Sequence, residues 1–65
     1  MTIKENAVLH LLQSNAQIIF EKTNWLVLKR FSNVKIESGS RIIMEPRSFF
    51  CNEGGIISGY GTLNI

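Results

Sequence analysis

Two side chains in this chain of 65 residues could act as nucleophile and base, Cys51 and His10. Such a pair needs a third residue to orient the base, and the sequence contains no Asp that could do so. We therefore predict that the chain is not an enzyme. A lone cysteine is better explained as a small buried apolar side chain in a reducing compartment. His10 is expected at the edge of an apolar segment, with one ring nitrogen bonded to backbone or water.

The remaining groups with chemical potential have simpler explanations. Glu45 and Glu53 could form a glycosidase-like acid pair, but any two carboxylates in a small protein can come near each other, so their spacing is uninformative. We interpret them as turn and surface charges. The glycine-rich stretch 54–61 lacks the Lys-Ser/Thr ending of a phosphate-binding loop. One Cys, one His and no Asp cannot complete a tetrahedral metal site. The sequence thus predicts no cofactor and no metal.

Basic and aromatic residues alternate along the middle of the chain. The set consists of Lys22, Lys29, Arg30, Lys35, Arg41 and Arg47, with Phe20, Trp25, Phe31, Phe49 and Phe50 between them. Surfaces that bind single-stranded nucleic acid combine cations with rings on which bases stack. However, most of these cations have a glutamate within a few positions, and a small domain needs aromatic residues for its core. Nucleic-acid binding is therefore the alternative and not the leading hypothesis.

The N-terminal segment has a helical pattern. Over residues 5–14, Val8, Leu11 and Leu12 would share one helical face, and Glu5 suits a first helical turn. We predict a short helix there. The competing interpretation is a strand, because residues 8–12 form a compact apolar run of strand length.

The region 17–65 has the pattern of an all-β protein. Apolar runs alternate with turn residues every seven or eight positions, and the predicted strands are 17–21, 25–30, 33–37, 41–45, 48–51, 55–58 and 61–65. Val34 and Ile36 alternate with polar residues, as in a half-buried strand. Residues 26–28 and 42–44 are apolar on both faces, which indicates central strands or strands covered by a second subunit. Trp25 begins one of these runs and is expected to be buried.

The stretch Asn33-Val34-Lys35-Ile36-Glu37-Ser38-Gly39-Ser40-Arg41-Ile42-Ile43-Met44-Glu45-Pro46, with Gly54–Ile57 and Gly61–Ile65, resembles the coils of right-handed parallel β-helices. That family includes phage tailspikes, secreted adhesins and pectate-lyase-like enzymes. The resemblance spans residues 33–65 and implies an architecture of short strands and small-residue corners. It carries over no activity, because the acidic clusters of the pectate-lyase-like members are absent. Two or three coils are few for such a fold, and the alternative is a meander of hairpins closed into a small barrel.

Length and composition allow one small β-rich domain, residues 1–65. The chain is 45% hydrophobic and 18% charged, with a net charge of +2. A domain of this size buries only about 60% of its unfolded surface, so its own core is marginal. Without a disulfide or a metal, a homo-oligomer or a larger protein partner remains as the source of further stability.

The sequence shows neither a signal peptide pattern nor an apolar run of membrane-spanning length. We expect a soluble protein of the cytoplasm or of a virion, with no membrane partner. The run Gly61–Ile65 is apolar and strand-like, and we predict that it pairs with another chain or lies at a subunit boundary. The candidate interaction surface comprises Lys29, Arg30, Lys35, Arg41, Arg47, Leu63 and Ile65.

The leading hypothesis is a non-enzymatic structural or protein-interaction module of phage origin that acts as an oligomer or bound to a larger protein. The alternative is a small β-barrel that binds nucleic acid, and a third hypothesis is a piece of a larger β-helix protein.

Overall fold

A computed structural model describes all residues, 1–65, as nine short β-strands without a helix. The strands are β1 (Thr2–Ile3), β2 (Val8–Leu11), β3 (Gln17–Phe20), β4 (Trp25–Leu28), β5 (Asn33–Ile36), β6 (Arg41–Met44), β7 (Phe49–Asn52), β8 (Ile56–Ser58) and β9 (Thr62–Asn64). The fold is therefore all-β, as predicted, and no helix is present that could cross a membrane.

The strands form three parallel sheets, and consecutive strands along the chain belong to sheets 1, 2 and 3 in turn. Sheet 1 has the order β1-β4-β7, sheet 2 has β2-β5-β8 and sheet 3 has β3-β6-β9. Each of the strands β1 to β6 pairs with the strand three places later, so that Val8 lies beside Asn33, and Asn33 beside Ile56. The chain thus makes three stacked coils in a solenoid-like arrangement: coil 1 (residues 1–24), coil 2 (25–48) and coil 3 (49–65). The molecule is a flat disc of 27 × 26 × 13 Å.

One type of tight turn makes six of the corners between sheets. In each, the backbone N–H of the fourth residue donates to the carbonyl of the first at 3.0–3.1 Å. The corners are Lys4–Ala7, Gln13–Ala16, Glu21–Asn24, Lys29–Ser32, Glu37–Ser40 and Glu45–Ser48. From Gln13 onward they begin every eight residues, because a four-residue strand follows each four-residue turn. Ser32, Ser40 and Ser48 stabilise their corners further, because each hydroxyl donates a hydrogen bond of 2.5–2.6 Å to the carbonyl of the first corner residue.

The third residue of each corner has a positive φ, as a type II turn requires. Asn6, Asn15 and Gly39 tolerate this conformation well, whereas Thr23 (φ 71°) and Phe31 (φ 63°) do not. Hydrogen bonds between coils hold these strained positions in place, since Thr23 N–H donates to the Arg47 carbonyl at 3.0 Å and Phe31 N–H donates to the Gly54 carbonyl at 3.1 Å.

The hydrophobic core lies between the three sheets. Its nine buried residues are Ile3, Leu11, Phe20, Leu26, Leu28, Val34, Ile36, Ile42 and Met44. Coils 1 and 3 cover coil 2 on both sides, so the most deeply buried residues all come from coil 2. They are Leu26, Leu28, Val34, Ile36 and Ile42. Burial alternates along β4, β5 and β6, so that one residue in two points inward.

Coil 3 is narrower than coil 2 at its second corner. β8 and β9 begin six residues apart, whereas the corresponding β5 and β6 begin eight apart. The shortened chain lies directly on coil 2: a Cβ added to Gly59 would lie 2.2 Å from the Ile36 carbonyl oxygen, and one added to Gly61 would lie 2.3 Å from the Ile36 Cγ2. Gly61 N–H donates to that same Ile36 carbonyl at 2.7 Å. Glycine is required here because the backbone itself covers the core.

For the fold, one sequence-based expectation is wrong and one open alternative is excluded. The predicted helix over residues 5–14 is replaced by two corners with β2 between them, because parallel pairing with β5 buries Leu11 and partly buries Leu9. The hairpin barrel is also excluded, since every strand pair is parallel. The seven strands predicted in 17–65 are confirmed to within one or two residues at each end.

Candidate interaction surfaces

The five basic residues of the predicted interaction surface all belong to coil 2, but they do not form one patch. Lys29 and Arg30 lie on the corner between sheets 1 and 2. Lys35 points outward from sheet 2, Arg41 begins the central strand of sheet 3, and Arg47 lies on the corner that leads back to sheet 1. The cations are therefore distributed around the whole perimeter of the disc.

The two apolar members of that predicted surface differ from each other. Leu63 is half-buried and packs against the core from β9, whereas Ile65 is 75% exposed. β9 pairs through one edge with β6, and no strand of this chain pairs with its other edge. The predicted pairing of Gly61–Ile65 with another chain stays a prediction.

A salt bridge links coils 2 and 3 beside sheet 1. Lys29 Nζ lies 2.9 Å from Glu53 Oε1. This hydrogen bond raises the pKa of Lys29 above its ordinary value of 10.5, and it lowers the pKa of Glu53 below 4.5. Thr2, Lys4, Glu5 and Arg30 line the same charged corner. Cations and carboxylates of all three coils alternate there, so the corner has no strong field of one sign.

A second cluster links coils 1 and 2 on the outer face of sheet 2. His10 and Lys35 are neighbours across β2 and β5, and the carboxylate of Glu37 lies between them. His10 Nε2 is 2.7 Å and Lys35 Nζ 3.8 Å from Glu37 Oε2. The His10 hydrogen bond, assisted by the charge of Lys35, holds the pKa of Glu37 below its ordinary value of 4.5. His10 was expected to bond to backbone or water, and the observed partner is instead this carboxylate.

The residues considered for catalysis are separated by the fold. His10 lies in sheet 2 and Cys51 in sheet 1, while Glu45 and Glu53 occupy different corners. Cys51 is exposed, so the expectation of a buried thiol is wrong. Its Sγ donates weakly to Glu53 Oε2 at 3.7 Å. No three His, Cys, Asp or Glu side chains come together as potential metal ligands. The glycines of the stretch 54–61 lie on the corners before and after β8.

The outer face of sheet 1 is a surface that the sequence did not reveal. Trp25 and Phe49 are paired across β4 and β7, and Val27 and Cys51 are paired two residues further along. Thr2 extends the second row onto β1. Trp25 and Val27 alternate along β4 with the buried Leu26 and Leu28, so they point away from the core. Their register partners Phe49, Cys51 and Thr2 lie on the same outer face.

Trp25 is 53% exposed and Phe49 is 62% exposed. The expectation that Trp25 is buried is therefore wrong: in the run Trp25-Leu26-Val27-Leu28 the two leucines point inward and the tryptophan points outward. None of the outward side chains of sheet 1 is charged, whereas sheet 2 presents His10 and Lys35 and sheet 3 presents Arg41. The signal that could have revealed this face is the 24-residue separation of Trp25 and Phe49, one coil length.

The aromatic residues considered for nucleic-acid binding divide between core and surface. Phe20 is buried and Phe50 packs against the core, whereas Trp25, Phe49 and Phe31 are exposed. The Phe31 ring lies 5.4 Å from the Arg30 guanidinium carbon, a cation–π distance. A shallow groove also runs between the corner Glu45–Ser48 and the end of β9.

No protein-family model, curated protein or solved structure matches this chain.

Proposed function

We propose that this chain is a non-enzymatic structural or protein-interaction module that acts as an oligomer or bound to a larger protein. The observation that carries the proposal is the distribution of its large apolar side chains. Ten are exposed, which is one more than the nine residues of the core. Single exposed apolar residues are normal on a protein surface, but an excess of this kind on so small a fold favours association.

The shape of the molecule supports the same proposal. The outer edges of β1, β2 and β3 and of β7, β8 and β9 have no strand partner within the chain. Unpaired edges present backbone donors and acceptors that can accept a further strand. Solenoid folds are stabilised by contacts between neighbouring repeats, and three coils provide only two such interfaces.

The resemblance of residues 33–65 to right-handed parallel β-helices supports a more specific proposal, a structural component of phage origin. Right-handed parallel β-helices of phage tailspikes and adhesins are largely structural, and a role as a virion or mobile-element component fits a short chain of stacked coils. Nucleic-acid binding through Trp25, Phe49 and the surrounding cations is the alternative.

Molar mass measured by light scattering over a range of concentrations tests the proposal. We expect a mass that rises above the 7.4 kDa of the monomer as concentration increases. A chain that stays at 7.4 kDa up to about 1 mM would contradict self-association, since even a weak interface of millimolar Kd is half occupied there. The proposal would then rest on a larger partner alone, and crosslinking in cells through an amber-encoded photoreactive residue at Ile19, which is exposed on sheet 3, would show whether one exists.

A further inference from the structure

We propose that the outer face of sheet 1 is the contact between two copies of this chain, which pair face to face about a two-fold axis. This inference rests on the proposed function and names the surface and the partner. The face consists of Trp25, Val27, Phe49, Cys51 and Thr2.

The composition of the face is that of an interface centre. It combines two aromatic side chains, each more than half exposed, with an aliphatic residue, a thiol and a hydroxyl, and it has no charge. Aromatic residues are enriched and charged residues depleted at the centres of protein interfaces. The outer faces of sheets 2 and 3 both present charged side chains, so this face is the most apolar of the three.

The charges that border the face identify a second copy as the occupant. One border is formed by the corners Glu21–Asn24 and Glu45–Ser48, where Lys22 and Arg47 each have a glutamate in the same turn. The other border contains the Lys29–Glu53 salt bridge together with Lys4, Glu5 and Arg30, so it also carries both signs. A polyanion would require borders of one sign. Borders that contain both signs around an uncharged centre can match themselves after a two-fold rotation, as an isologous contact requires.

The size of the face predicts the strength of the pair. The molecule is 27 Å wide and 13 Å high, so one side of it offers less area than the roughly 800 Å² per partner of a standard stable interface. We therefore expect a reversible dimer with a Kd of about 1 µM to 1 mM. Trp25 is the only tryptophan and Cys51 the only cysteine, so the face contains its own two reporters.

Two matched variants test the assignment. Phe49→Lys places a charge on the face itself, on its edge strand β7 beside Trp25. Ile56→Lys is the control, because Ile56 also begins a coil 3 strand, also points outward, and is 56% exposed against 62% for Phe49. Sedimentation equilibrium in reductant, which prevents Cys51 disulfides, measures association, and far-ultraviolet circular dichroism confirms that both variants fold.

We expect the wild-type chain and Ile56→Lys to dimerise alike, and Phe49→Lys to dimerise at least about tenfold more weakly, because the added ammonium group would have to leave water to enter an uncharged contact. The emission of Trp25 should shift to shorter wavelength, and the reaction of Cys51 with a maleimide should slow, as the wild-type chain associates. Neither change should occur in Phe49→Lys at the same concentration.

Four results would overturn the assignment. If both variants associate like the wild type, or if only Ile56→Lys fails to associate, the contact lies elsewhere and the proposed function stands. If the wild-type chain remains monomeric with unchanged Trp25 emission, the dimer does not exist, and only association with a larger protein remains. If an oligothymidylate shifts the Trp25 emission of the monomer, and salt abolishes that shift, the face belongs to nucleic acid and the proposed function also fails.

Discussion

The close approach of coil 3 to coil 2 at Gly59 makes this glycine the most demanding position in the chain. Gly59 has φ +99°, and an added Cβ would lie 2.2 Å from the Ile36 carbonyl oxygen and 2.9 Å from its carbonyl carbon. Gly54 provides a matched control, because it has nearly the same φ, +102°, but an added Cβ would contact only Arg30 atoms at 3.5 Å or more. The two alanine variants thus separate backbone strain from steric overlap.

The magnitudes follow from these two terms. Alanine in the left-handed region costs about 1–2 kcal/mol, which applies to both variants. Gly59→Ala must also displace the Ile36 backbone, which accepts the hydrogen bond from Gly61 N–H. Overpacking of this kind adds about 1–3 kcal/mol. In a domain of this size, each kcal/mol lowers the unfolding midpoint by about 4–8 °C. We therefore expect Gly59→Ala to unfold at least about 5 °C below Gly54→Ala.

Thermal unfolding followed by far-ultraviolet circular dichroism measures both midpoints. Hydrogen exchange would show whether the loss is confined to coil 3, since Gly59→Ala should expose the amides of β8 and β9 before those of β5. Equal midpoints for the two variants would refute the reasoning, because they would mean that the chain at Gly59 does not lie against Ile36.

Three further predictions concern the core, a corner and the interstrand charges. Leu28→Ala should lower the free energy of unfolding by about 2–5 kcal/mol in urea, because Leu28 is fully buried in the central strand of sheet 1; a change below about 1 kcal/mol would contradict its place in the core. Thr23→Gly should raise the thermal midpoint, since it relieves a β-branched residue at φ 71°, and Thr23→Ala should not. The lowered pKa values of Glu37 and Glu53 stabilise the fold above their ordinary pKa of 4.5. This contribution should decline as the pH falls below that value, and urea titrations of Glu37→Gln and Glu53→Gln should show a shallower acid decline than the wild type.

The strands from Gln17 onward could be predicted because each combines local signals that agree. Apolar runs of about four residues are separated by residues suited to turns, and this spacing survives in the eight-residue repeat of the corners. The segment 5–14 failed because its apolar residues fit both a helical and a strand period. The pairing of β2 with β5, which lies 25 residues away, decides between them, and a local pattern contains no information on that pairing.

The direction of the side chains was harder to predict than the position of the strands. Alternation assigns Trp25 and Val27 to one face and Leu26 and Leu28 to the other, but both sets are apolar, so the pattern does not say which set is inside. The exposure of Cys51 follows from the same ambiguity, because it is the neighbour of Val27 on the next strand. Where the opposite face was polar, as for Val34 and Ile36, the inward set was predicted correctly.

The candidate surfaces could not be predicted because the coils determine which residues meet. Residues that are adjacent in sequence, such as those from Lys29 to Arg47, are distributed over three sheets within a single coil. Residues about one coil apart become neighbours instead: Lys29 meets Glu53 after 24 residues, His10 meets Glu37 after 27, and Trp25 pairs with Phe49 after 24. A basic cluster in the sequence is therefore dispersed around the perimeter, and two isolated aromatic residues become one apolar face. In a chain that folds this way, the residues of one interaction surface are about one coil length apart in the sequence. A double substitution of two such neighbours, compared with the two single substitutions, tests whether they act together.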